Sequence, residues 1–170
     1  MRLEIKIDDL AYVAADAIAR PVNAELRATT TLMRRLEDAA GEGLTRQLRV
    51  NEPLDVGAAV VTAAGHLESR LMIHAVVMTE DESVSKPGVQ RAITSALQRA
   101  RDWKIEHLAV APFGLGAGNL DVDDAAQAML LALSHHAQGA DYPREVTIVV
   151  ENAFEEAAFQ AARAWKWRDA

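Results

Sequence analysis

Apolar and polar residues alternate from Arg2 to Ile7, with Leu3, Ile5 and Ile7 pointing inward, which predicts a half-buried strand ended by Asp8-Asp9. The mixed run from Ala15 to Ala19, containing Ile18, predicts a second strand that stops before Pro21. From about Thr30 the period changes. Leu32, Leu36, Ala39 and Ala40 recur at helical spacing until Gly41 and Gly43 close the helix. Gly57 to Ala63 and Leu71 to Met78 read as strands separated by a Gly65-His66 turn. Glu80 to Pro87 is polar and predicts a loop; Val89, Ile93, Leu97 and Ala100 then predict a helix up to Trp103. Leu108 to Ala111 is a buried strand. Asp121 caps a helix over Val122 to Ala137, where Asp123 and Asp124 suit the positive end of the helix dipole. Val146 to Val150 is a final strand. Ala153 to Trp165 is a final helix with Phe154, Ala158, Phe159, Ala162 and Trp165 as its large and apolar positions.

The later strands are too uniformly apolar for burial on one face only, and they alternate with helices. A mostly parallel sheet with helices on both faces accounts for this. Ligands in such folds lie beyond the carboxyl ends of the strands. Three loops fall at that edge: Pro21 to Asn23, Gly114 to Gly118, and Glu151-Asn152.

The middle loop belongs to the stretch Val110 to Leu120, VAPFGLGAGNL, in which glycines stand at every second position between a strand and a helix. Such a loop aims backbone N–H groups at one spot beside a positive helix end and can cradle a phosphate or diphosphate. Glycines also make ordinary tight turns, so the stretch alone leaves both readings open.

Composition narrows the field. At 170 residues the chain suits one domain with a sizeable core. With no cysteine, disulfides and thiolate metal sites are excluded. No apolar run approaches the ~20 residues of a membrane span and the N-terminus lacks a signal-peptide core, so a cytoplasmic protein without membrane partners is expected. A formal net charge of −7 argues against a broad nucleic-acid surface. Between Arg20 and Arg35 the balance is reversed, with four arginines (Arg20, Arg27, Arg34, Arg35) against one acid, Glu25. That segment either attracts a small anion or is a solvated face paired with Glu37 and Asp38.

Several chemistries are missing. The glycine loop lacks the Lys-Ser/Thr of a P-loop, and its Gly-x-Gly-x-Gly spacing is not a dinucleotide fingerprint. There is no Gly-x-Ser-x-Gly elbow. No metal-ligand motif exists and no cofactor is implied; His135 and His136 are helix neighbours that cannot face one ion. His74, inside an apolar strand, reads as a satisfied core histidine, and Trp103, Trp165 and Trp167 read as packing residues.

The order of features along nearly the whole chain resembles the macro domain, the ADP-ribose-binding fold. Asp9-Leu10 is similar to the family's Asp-Ile after the first strand, and Asp16-Ala-Ile-Ala-Arg-Pro-Val-Asn23 to its Asp-x-Ile-Val-Asn-Ala-Ala-Asn. Ala39-Ala40-Gly41 resembles the close of its first helix. Gly57 to Thr62 and Met72-Ile73-His74-Ala75-Val76 resemble its Gly-x-x-x-x-Thr and Val-Ile-His-x-Val strands, and Pro112 to Leu120 its second phosphate loop. The resemblance implies a single three-layer α/β/α sandwich over residues 1–170, with a mixed, mostly parallel central sheet.

It also implies roles. Asp9 would accept a hydrogen bond from the adenine amino group, with the Leu10 backbone beside it. Asn23 would contact the distal ribose, and Asn152 would line the adenine pocket. Pro112 and Phe113 would lead into a loop, Gly114, Leu115, Gly116, Ala117 and Gly118, that wraps the diphosphate. The family's first glycine loop is replaced by Ala28-Thr29-Thr30-Thr31. There the threonine hydroxyls and the helix start at Leu32 would serve the phosphate instead. Arg20, in place of the family's first asparagine, would pair with a phosphate or the ribose. Met33 stands where hydrolytic members often carry an acid, and Glu151 where an aromatic is common near adenine.

Three functions follow from the resemblance: binding of ADP-ribose, a related adenine nucleotide or an ADP-ribosylated protein; hydrolysis of ADP-ribosyl esters, with Asn23 and a substrate-held water; or an interaction domain with a degenerate site.

Overall fold

A six-stranded sheet organises the chain in the computed structural model, which describes residues 1–116 and 119–167. The strands are β1 (Arg2–Ile7), β2 (Ala17–Asn23), β3 (Ala59–Ala63), β4 (Leu71–Met78), β5 (His107–Val110) and β6 (Glu145–Val150). Their spatial order is β1-β6-β5-β2-β4-β3, parallel throughout except for the antiparallel edge strand β3. Helices α1 (Thr31–Ala40) and α2 (Glu42–Gln47) share one apolar cluster with a 3₁₀ turn at Leu10–Tyr12 and one sheet face. Helices α3 (Lys86–Asp102), α4 (Val122–Ala137) and α5 (Ala153–Lys166) pack against the other face. The expected three-layer α/β/α sandwich with a mixed, mostly parallel sheet is therefore the observed fold. Among the described residues, no helix is long and apolar enough to cross a membrane.

Four local readings need correction. Strand β2 does not stop before Pro21; it runs through it, with Pro21 opposite Ala75 of β4. Pro21 has the parity of Ala19, whose carbonyl accepts from the Ala111 N–H at 3.1 Å. Its missing N–H therefore faces the side from which β5 has already departed, where no ladder bond is lost. Ile7, at the carboxyl end of edge strand β1, is exposed rather than inward. Gly41 does close α1, at φ +90°, but Gly43 lies inside α2, a helix too short to show a period. Finally, Phe154, Trp103 and Trp165 face solvent, so the last helix packs through Ala158, Phe159 and Ala162 alone; only Trp167 of the three tryptophans leans on the core.

Candidate functional site

The carboxyl end of the sheet opens into a cleft between α1 and the loop that follows β6. Two adjoining hollows make it up, of about 300 Å³ and about 430 Å³. They share a wall formed by Leu32, Met33, Arg35 and Glu151.

The smaller hollow is lined by Asp8 to Tyr12, by Leu36 and Ala39 of α1, and by Ala111, Val149 and Val150. Asp9 caps the 3₁₀ turn: its Oδ1 accepts from the Ala11 N–H at 3.0 Å. Its second carboxylate oxygen makes no hydrogen bond within the described residues. A carboxylate with one open oxygen beside a largely aliphatic wall suits a group bearing an amine donor.

The larger hollow is bounded by Pro21, Thr30, Thr31, Pro112, Leu115, Gly116 and Glu155. Thr30 caps α1, its Oγ1 accepting from the Met33 N–H at 3.2 Å. Thr31 and Leu32, the first two residues of the helix, line the hollow, and their N–H groups have no acceptor within the helix. Opposite them, the N–H groups of Leu115 and Gly116 also lack an acceptor within the described residues. Gly116 sits at φ +130°, and a Cβ placed there would lie 3.2 Å from Thr30 Cγ2, so the two loops touch. Helix α1 has no acidic residue in its first turn, whereas α4 and α5 have two each. Arg35, on the cleft wall, makes no ion pair among the described residues. This arrangement leaves the positive end of α1 without a balancing charge of its own.

Glu155 is held on the same wall: its Oε1 accepts from the Glu151 N–H at 3.2 Å and its Oε2 from Asn152 Nδ2 at 3.3 Å. Burial first, and the nearby Glu151 charge second, push its carboxyl pKa up, while the two hydrogen bonds oppose this.

Beneath the larger hollow lies a buried polar chain. Arg20 shares the face of β2 that carries Ile18 and Val22, so its side chain lies under α1 and is fully buried. Its Nη1 meets Glu37 Oε1 at 2.6 Å, its Nη2 the Leu26 carbonyl at 3.4 Å, and its Nε donates to His74 Nδ1 at 2.8 Å. A guanidinium only donates, so Nδ1 of His74 is the acceptor and the proton of the neutral ring sits on Nε2. Nε2 then donates to Thr62 Oγ1 at 2.8 Å, and Thr62 passes its own proton to the Ala63 carbonyl at 2.8 Å. Burial, with the Arg20 charge beside it, pushes the His74 pKa down to about 3. Burial also pulls Arg20 below the ordinary guanidinium value, and Glu37 opposes that.

The structure thus brings Asp9, Leu10, Thr30, Thr31, Leu32, Pro112, Leu115 and Gly116 to one cleft. Ala117 and Gly118 lie outside the described residues. Other expected contacts are redirected. Arg20 is not available to a ligand, because burial commits its guanidinium to Glu37, His74 and Leu26. Phe113 is fully buried in the main core, and Gly114 is turned toward Val84, Val89 and Leu120. Asn152 caps α5 through the Glu155 N–H at 2.9 Å and does not line either hollow. Asn23 Oδ1 accepts from the N–H groups of Glu25 and Arg27, both at 3.0 Å, so its carbonyl is spent on a turn. Thr29 borders neither hollow. The sequence names Arg35 only as one member of the basic segment, and nothing in it singles out Glu155. Arg35 falls at i+3 from Leu32 and four before Ala39, which places it on the cleft-facing stripe.

The fold is an α/β/α sandwich on a mostly parallel sheet, with a two-part cleft at the carboxyl edge of its strands. The Macro domain family model matches residues 19–129, and the chain belongs to the macro domain family. An uncharacterized protein of Mycobacterium tuberculosis is 31% identical over 162 residues, which cover 95% of this chain but 45% of that protein. The chain thus spans less than half the length of that relative. Among solved structures, a mutant of the Oceanobacillus iheyensis macrodomain with ADPR superposes with a TM-score of 0.85 at 20% identity, over 96% of this chain and 92% of that one. The Trypanosoma brucei macrodomain in complex with ADP gives a TM-score of 0.83 at 13% identity, over 95% of this chain and 68% of that one.

Proposed function

We propose that the cleft binds ADP-ribose, or an ADP-ribosyl group, with adenine in the smaller hollow and the diphosphate in the larger. The observation that carries this is the set of backbone N–H groups without acceptors among the described residues, those of Thr31, Leu32, Leu115 and Gly116, all of residues that line the larger hollow. They lie beyond a hollow headed by the Asp9 carboxylate. Family membership and the ADPR-bound relative support the same reading. A charge-assisted hydrogen bond at Asp9 contributes about 1.5–3 kcal/mol and each neutral donor about 0.5–1.5. Together these span about 3.5–9 kcal/mol, and the upper part of that range reaches the ~8 kcal/mol of micromolar affinity.

Calorimetry with ADP-ribose, ADP, AMP and NAD tests it. Binding of ADP-ribose that is lost in Asp9→Ala is the expected result; no heat from any of the four overturns the reading. Release of ADP-ribose from a modified protein would reassign the site as a hydrolase.

A further inference from the structure

We propose that Arg20 and Glu37 form a positioning clamp that sets the phosphate-side loop in its ligand-ready place, a role that rests on the nucleotide reading above. The segment from Asn23 to Thr30 joins β2 to α1 without a regular element. At its centre Leu26 holds φ +62°, a left-handed conformation that a branched side chain adopts only under constraint.

Three groups supply that constraint. Asn23 closes the turn on one side: its carbonyl accepts from the Leu26 N–H at 2.9 Å and its N–H donates to the Arg27 carbonyl at 3.0 Å. Arg20 holds the Leu26 carbonyl from beneath. Glu37 uses one oxygen, Oε1, for both Arg20 Nη1 and the Ala28 N–H, the latter at 2.9 Å. A single guanidinium therefore ties β4 through His74, α1 through Glu37, and the loop through Leu26.

The bond to the Ala28 N–H turns that donor inward and fixes where the chain re-emerges as Thr29 to Thr31. Thr30 then rests against Gly116, and the helix start faces the larger hollow. Arg20, Leu26 and Ala28 line neither hollow, but the chain they hold runs directly into Thr30 and Thr31, which line the larger hollow and not the smaller. The clamp therefore acts through Thr30 and Thr31, on the diphosphate end. It supplies by charge the loop geometry that glycines would supply by their backbone freedom.

The test compares two ligands on two variants. In Glu37→Gln the buried Arg20 loses its counter-charge, a change that risks the fold as a whole. The double variant Arg20→Met with Glu37→Leu removes both charges together and is expected to stay folded. In each folded variant, affinity for ADP-ribose is expected to fall about tenfold, the equivalent of one or two backbone contacts. Affinity for AMP is expected to stay within about twofold, because Asp9 and the other residues particular to the smaller hollow make no hydrogen bond with the clamp. Amide hydrogen exchange is expected to quicken across Leu26 to Thr31.

Wild-type ADP-ribose affinity in the folded double variant overturns the clamp, and so does an equal loss for both ligands, the mark of a purely structural role. If the unaltered protein binds neither nucleotide, the nucleotide reading fails. Exchange then decides the clamp by itself, and unchanged protection across Leu26 to Thr31 in the double variant overturns it.

Discussion

The two hollows of the cleft are built by opposite means. At the smaller one, the polar group of the proposed site is a side chain: the Asp9 carboxylate stands beside Leu10, Leu36, Ala39 and Val149. At the larger one, the donors are backbone N–H groups, positioned by Thr30 capping α1 and by the positive φ of Gly116. The first kind of site survives modest movement of the chain, because a carboxylate can rotate to its partner. The second depends on where the backbone runs, so residues that never meet a ligand decide it.

The sharpest way to break that contrast is Gly116→Val. A branched side chain at φ +130° is strained in its own backbone, and its Cβ, 3.1 Å from Asn119 Nδ2 and 3.2 Å from Thr30 Cγ2, makes both neighbours shift. ADP-ribose affinity is expected to fall about a hundredfold or more, while the folded state persists by circular dichroism. Unchanged affinity would show that the loop is only a turn. Next in size is Asp9→Ala. Loss of one charge-assisted bond of about 1.5–3 kcal/mol should weaken ADP-ribose and AMP alike, by roughly ten- to a hundredfold. A loss confined to ADP-ribose would place the adenine elsewhere.

Arg35→Gln should cost less, about three- to tenfold for ADP-ribose, and the difference should shrink as salt is raised, since an exposed cation is screened. Salt independence would remove Arg35 from the phosphate end. The smallest effect at neutral pH is expected for His74→Gln, which should leave both affinities in place and show itself only on acidification. The unfolded chain takes up a proton at His74 near its ordinary 6.5, whereas the folded chain resists to about 3. His74 thus contributes stability that is complete above about 6.5 and lost as pH falls through that window. Thermal melts from pH 7 to 4 should decline less steeply in the variant; parallel curves would mean that the imidazole is not held neutral.

Much of this was legible from pattern. The N-cap and span of α4 and the alternation of strand and helix follow from local chemistry that survives folding. What could not be read was orientation. The stripe Leu32, Leu36, Ala39 and Ala40 has helical spacing, but α1 packs through Met33, Leu36 and Ala40. Leu32 and Ala39 are less buried and line the cleft, as Met33 and Leu36 do in part, and no periodicity separates an apolar cleft wall from an apolar core. Arg20 misled for a related reason. A cation near a phosphate loop reads as a ligand, and its burial depends on the strand parity that puts it under α1 and on Glu37, seventeen positions away. Strand β2 passing Pro21 likewise required knowing that β5 ends earlier.

The directed chain from Arg20 through His74 to Thr62 has one more use. Because its donors and acceptors run in a single sense, the imidazole is locked in one tautomer, with a proton on Nε2 shielded from solvent. Such a proton exchanges slowly and gives a resolved nuclear magnetic resonance signal of its own. A change in that signal on adding nucleotide is the expected sign that the chain beneath the cleft responds to the loop above it, and an unmoved signal would show that it does not.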